Sequence, residues 1–164
     1  MDGNGDGEII KKEFITAENI NSLFNKYNVP KEFDLLSIDI DSTDYWIWKA
    51  IEGYIPRVVI IEYNASFPPT ESKVVKYDPN LLWDNSNYFG ASLLAYEKLG
   101  KEKGYTLIAC DKTGTNAFFI RSELIKNHFV VKPIGEVYRP PMYGEIINGA
   151  HIGHPPSSKS MMSV

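Results

Sequence analysis

Two nearly uninterrupted apolar runs, a helix-length apart, constrain this chain more than anything else in it: Phe33-Asp34-Leu35-Leu36-Ser37-Ile38-Asp39-Ile40-Asp41 and Arg57-Val58-Val59-Ile60-Ile61-Glu62-Tyr63-Asn64. Both end in carboxylates or an amide. Such runs read as strands covered on both faces, the condition of parallel strands in an α/β sheet. Between them Asp44 caps a helix with Tyr45, Trp48, Ile51 and Ile55 along one stripe, and Pro56 closes the connection. Strand, helix, strand is a βαβ unit, for which a right-handed crossover is strongly preferred. The expected fold is therefore α/β, with a sheet that is parallel at its centre. The polar tips of neighbouring parallel strands meet where α/β proteins keep their sites.

At 164 residues with 43% hydrophobic and 13% aromatic content, the chain can bury one cooperative core. A net charge of −4 argues against a sequence-independent grip on nucleic acid or on an anionic membrane surface. Cys110 is the single cysteine, so no internal disulfide forms and a reducing compartment is expected. No apolar run approaches the roughly 18 residues of a spanning helix, and the acidic start is unlike a signal peptide. These features describe a soluble, cytoplasmic protein with small-molecule or protein partners.

Along the chain, residues 12–15 read as a short strand. Thr16 then caps a helix bearing Ile20, Leu23, Phe24 and Tyr27, with Glu18 in its first turn. Residues 65–90 lose periodicity, being rich in prolines, turn formers and aromatics; a loop of this length suits a lid. A helix follows over 91–103, stopped by Gly104. Runs at 105–111 and 116–121, joined by Lys-Thr-Gly-Thr, read as an antiparallel hairpin with Gly114 at the tight position. The expected organisation is an acidic, Gly-rich leader at 1–13, one α/β domain at 14–148 and a flexible tail at 149–164.

Strand periodicity puts Ser37, Asp39 and Asp41 on one face, and Glu62 and Asn64 likewise in the next strand. Three carboxylates and an amide at one rim can bind a cation, hold ribose or amine hydrogens, or supply a general base. Equally, such groups can cap helix ends and bond loop backbone. Trp83, in the unpatterned segment, is the best pocket aromatic, whereas Trp46 and Trp48 suit packing as well as a pocket. His151 and His154 read as parts of a solvated tail, and Cys110 as a buried, inert thiol. Carboxylates at parallel strand ends also occur in sugar-handling enzymes, but a barrel of that kind needs eight parallel strands and this chain offers about three.

The span 14–121 carries Glu18-Asn19-Ile20-Asn21, the run from Phe33 to Asp41, Asp44-Tyr45-Trp46, Val59-Ile60-Ile61-Glu62-Tyr63-Asn64 and Asn116-Ala117-Phe118-Phe119-Ile120-Arg121 in order. In these motifs it resembles the carboxyl-terminal half of FkbM-type, class I S-adenosylmethionine-dependent methyltransferases. The resemblance implies a partial Rossmann-like sheet in which a parallel strand is followed by a helix and a terminal antiparallel hairpin. It also implies Asp39 and Asp41 as catalytic residues beside donor and acceptor, with Glu62 and Asn64 ending the next strand. Residues 77–90 would cover the pocket of a small-molecule or glycan-type acceptor, with Trp83 among its walls. Such a family member opens with a strand, a Gly-rich turn and an acidic residue for the donor's ribose, and none of these precedes Phe14. The expectation is thus a methyltransferase-like chain without its donor half, inactive alone, whose bare sheet edge favours a homodimer.

The amino terminus carries a second pattern. Asp2-Gly-Asn-Gly-Asp-Gly-Glu-Ile-Ile-Lys-Lys-Glu13 resembles an EF-hand calcium loop: side-chain oxygens at Asp2, Asn4 and Asp6, the Glu8 carbonyl, and Glu13 as bidentate ligand. The alternative expectation is a Ca2+-binding protein acting through these residues.

Overall fold

In the computed structural model, residues 10–126 and 128–164 are described. In chain order the elements are α1 (Ile20–Lys26), β1 (Leu35–Ile38), α2 (Asp44–Ala50), β2 (Val58–Glu62), β3 (Lys73–Val74), α3 (Leu93–Glu102), β4 (Tyr105–Cys110), β5 (Asn116–Arg121), α4 (Ser122–Ile125), α5 (Ile134–Val137), β6 (Ile146–Ile147), β7 (Ala150–His151) and β8 (Met162–Ser163). The main sheet has four strands in the order β1-β2-β5-β4. β1 and β2 are parallel, with Leu35 opposite Val58 and Ile38 opposite Ile61, and the other ladders are antiparallel.

The expected parallel centre is therefore replaced by a mostly antiparallel sheet with its one parallel pair at the side. The hairpin accounts for this. Its returning strand β5 carries Ala117 and Phe119, both fully buried, and takes the inner place beside β2, leaving β4 at the margin. Gly114 turns the hairpin at φ +74°, where the Pro140 carbonyl would sit 2.4 Å from any Cβ, so only glycine fits.

One face of this sheet, formed by Ile38, Val59, Ile61, Leu107, Ala117 and Phe119, is buried in the core. Trp48 of α2 stacks at tilted or edge-on angles on Tyr96 of α3, Tyr105 and Phe119, with ring centres 4.9–6.3 Å apart. Complete burial of one such side chain contributes about 1.5–3 kcal/mol. The opposite face is only half covered. Leu35 is 53% exposed and Ser37 is exposed, so β1 is not the doubly buried strand its sequence suggests. Its outer edge has no strand neighbour among the described residues.

The helices start and stop where polar groups dictate. α1 begins at Ile20, four residues beyond Thr16, because Asn19 ties the approach: its Oδ1 accepts the Thr16 amide at 2.8 Å and its Nδ2 donates to the Phe14 carbonyl at 2.8 Å. No strand forms at 12–15, which finds no partner strand among the described residues. α2 stops at Ala50, its last carbonyls accepting from Asn21 Nδ2 (2.8 Å on Ala50) and Lys103 Nζ (2.8 Å on Ile51), and Ile55 lies outside it, 44% exposed. α3 is capped by Ser92, whose hydroxyl accepts the Ala95 amide at 3.3 Å, and ends before Gly104 at φ +82°. No helix among the described residues is long and apolar enough to cross a membrane.

Candidate functional site

Immediately after β1 the chain makes a tight turn through Asp39, Ile40 and Asp41. Asp41 stands at φ +59°, a left-handed conformation that short polar side chains tolerate. Asp44 holds this turn. Its carboxylate accepts the Ile40 amide at 2.9 Å and the Ser42 amide at 3.1 Å, while the Ser42 carbonyl accepts the Gly90 amide at 2.7 Å. The expected helix cap is thereby corrected: Asp44 is the first residue of α2 and bonds backward into the turn. Burial pushes its carboxyl up to about 6, against the lowering effect of those amide bonds.

β2 delivers Glu62 to the same place. Carboxylate oxygens of Asp39, Asp41 and Glu62 all lie within 4.8 Å of one another, the two aspartates exposed and the glutamate half-buried. Burial, and then the negative charges of Asp44, Asp39 and Asp41, push Glu62 up to about 8. It thus carries a proton at neutral pH, which relieves repulsion among the three groups.

Asn64 does not join them. It is fully buried, its Nδ2 donating to the carbonyls of Asn87 (2.8 Å) and Phe89 (3.1 Å) and its Oδ1 accepting the Ser66 amide at 3.2 Å. Each of its polar atoms is engaged with backbone, so the expected substrate-binding role for Asn64 gives way to a structural one.

Residues 77–90 and the chain beyond Pro140 close over the rim. The Trp83 indole donates to the Ser86 carbonyl at 2.8 Å, and its ring meets the His154 imidazole edge-on at 4.7 Å between centres. Phe89 and Tyr143 contact the same imidazole at 5.5 and 5.2 Å. Asp41, Glu62, Trp83, Phe89 and His154 line a cavity of about 20 Å³. A separate cleft of about 440 Å³ is lined by Lys76, Tyr77, Tyr88 and Lys159. Trp83 is therefore at the rim, as its sequence position suggested, whereas Trp46 and Trp48 serve packing: the Trp46 indole donates to the Val75 carbonyl at 2.8 Å, and Trp48 is 1% exposed.

His154 is the residue that sequence reasoning missed. Read as part of a free tail, residues 149–164 instead run back over the fold, β8 pairing with β3, the Pro155 carbonyl accepting the Asn87 amide at 2.8 Å and Lys159 bridging to Asp84 at 2.8 Å. The available signal was Gly144, Gly149 and Gly153, all at positive φ, which fold residues 144–153 onto themselves. His151 remains apart, beside the Gly144 carbonyl at 3.3 Å.

Of the calcium-loop pattern, Asp2, Asn4, Asp6 and Glu8 lie outside the described residues. Glu13 is engaged elsewhere: its carboxylate accepts from Lys26 Nζ at 2.6 Å and from the Tyr27 hydroxyl, contacts that hold it below the usual carboxylate range.

The rim thus offers two exposed aspartates and one protonated glutamate beside an imidazole. That set can accept a hydroxyl hydrogen, pair with a cationic group or ligate a divalent ion. The chain matches no protein-family model, no curated protein and no solved structure.

Proposed function

We propose that this chain is the acceptor-binding part of a methyltransferase-like α/β protein, holding a hydroxyl-bearing small molecule or glycan-type acceptor at the rim of Asp39, Asp41 and Glu62. One observation carries the reading: the carboxylates of residues far apart in sequence converge at the carboxyl ends of the parallel pair β1 and β2, where α/β sheets bind ligands. The parallel pair, and the helix and antiparallel hairpin that follow it in a mostly antiparallel sheet, support the reading at the level of a mixed α/β fold. In this reading Asp39 and Asp41, both exposed, accept the acceptor's hydroxyl hydrogen. Glu62, protonated, donates a hydrogen bond to the acceptor oxygen or its neighbour.

S-adenosylmethionine does not fit the residues described. The turn after β1 runs through Asp39 to Thr43 without a glycine, and no Gly-rich strand-to-helix turn occurs among the described residues. The reading therefore assigns acceptor handling to this chain and no step to the methyl donor.

Titration with simple methyl glycosides and polyols, followed by protein NMR, tests the assignment. Shifts are expected at Asp39, Asp41 and Trp83, and they should vanish in the Asp39→Asn, Asp41→Asn double variant. Absence of any shift at the rim with millimolar ligand would remove the reading. A parallel calorimetric titration with S-adenosylhomocysteine reports on the donor side, and no heat is expected from this chain alone.

A further inference from the structure

We propose that residues 141–164 form a movable strap over Glu62 and that the His154 side chain is its plug. The proposal stands apart from the chemistry assigned to the rim, because it concerns what can reach Glu62 at all.

The space beside Glu62 is about 20 Å³, room for about one water molecule. His154 is the strap's contribution to that cavity, its ring held between Trp83, Phe89 and Tyr143. Nothing larger than water sits against the inner side of Glu62 while the imidazole is in place. Asp39, by contrast, is exposed with the strap closed. The rim therefore has an open part and a covered part.

The strap is built to come away. Among the described residues the main buried cluster ends at Val137, and the strap's contact with a buried core side chain is that of His154 on Phe89. Apart from the His154 ring, its attachments are polar: the half-exposed Lys159–Asp84 pair, the Ser157 amide on Asn87 Oδ1 at 2.8 Å, the Asn87 amide on the Pro155 carbonyl at 2.8 Å, the Met142 amide on the Thr113 carbonyl at 2.8 Å, Lys98 Nζ on the Val164 carbonyl at 2.6 Å, and the two-residue pairing of β8 with β3. Exposed contacts of this kind contribute little individually. The strap also closes on itself, since Gly144 and Gly153 cross so tightly that a Cβ on Gly144 would lie 1.8 Å from the Gly153 carbonyl oxygen. His154 follows directly on that crossing, so the loop moves as a unit with its plug.

Carboxyl labelling with a carbodiimide and glycinamide, read by peptide mass spectrometry, tests this on the intact chain, with Asp39 as the internal reference. In the wild type, Glu62 should label much more slowly than Asp39. Lys159→Glu sets like charges at the Asp84 tether and should raise the Glu62-to-Asp39 ratio about three-fold, with an unchanged far-ultraviolet circular dichroism spectrum. His154→Gly should raise it further. A wild-type Glu62 that labels as fast as Asp39, or a ratio that Lys159→Glu leaves unmoved, overturns the proposal.

Discussion

The side-chain amide of Asn64 holds the backbone carbonyl of Phe89 at 3.1 Å. With the Asn87 carbonyl on the same nitrogen, this makes Asn64 a bracket between the end of β2 and the loop that covers the rim. Replacing Asn64 with Ala strands two carbonyls and one amide in the interior, and the expected loss is about 1–3 kcal/mol. Asn64→Asp should be worse, because an acceptor then faces two carbonyl oxygens. Urea unfolding followed by tryptophan emission measures both, and a stability equal to wild type for Asn64→Asp would contradict the bracket.

Glu62 sets a pH signature. In the folded chain it keeps its proton up to about pH 8, whereas the unfolded carboxyl releases it near 4.5. Between those values the folded state holds more protons, so stability falls as pH rises and levels off above about 8. Burial lowers His154 below 6.5, which slopes the opposite way at and below that value, so the clean window lies between about 6.5 and 8. The melting temperature of the wild type should decline across that window and that of Glu62→Gln should stay level. A wild-type curve that rises there would refute the protonated state.

Gly100 of α3 lies against the Phe119 ring: an added Cβ would be 2.9 Å from two ring carbons and 3.3 Å from Trp48. Both rings are buried in mutual contact and have nowhere to move. Gly100→Ala, which in an exposed helix would stabilise by about 1 kcal/mol, should here destabilise by about 1–3 kcal/mol. Thermal unfolding of the single variant decides the sign.

Burial pushes the Cys110 thiol up to about 12, outweighing the hydrogen bond with Tyr63. At pH 8 the native thiol should react with an aromatic disulfide reagent orders of magnitude more slowly than the same chain in denaturant. Fast native labelling would show the thiol to be available.

What the sequence made legible followed strict periodicity or strong local chemistry. The parallel pair, the α3 helix, the Gly104 stop and the hairpin around Gly114 were all readable, since each is set by residues a few positions apart or by a plain apolar run. The convergence of Asp39, Asp41 and Glu62 was readable because parallel pairing brings the ends of β1 and β2 to one edge, although the two aspartates reach it from a turn and not by strand alternation. The rest depended on tertiary partners. Which hairpin strand lies beside β2 was decided by the burial of Phe119, and the roles of Asn64 and Asp44 by backbone groups that loops bring to them. His154 was hidden because its aromatic neighbours Trp83 and Phe89 lie far away in sequence and Tyr143 belongs to the same unpatterned stretch.

The position of the parallel pair at the border of the sheet has a directional consequence. On its inner flank β2 meets β5, an antiparallel strand that starts at the rim with Asn116 opposite Glu62. That side is already occupied by a strand's beginning, so no further carboxyl-terminal tip can be added there. Any enlargement of this acidic shelf by strand addition has to arrive from outside β1, which makes those four residues the growth point of the site.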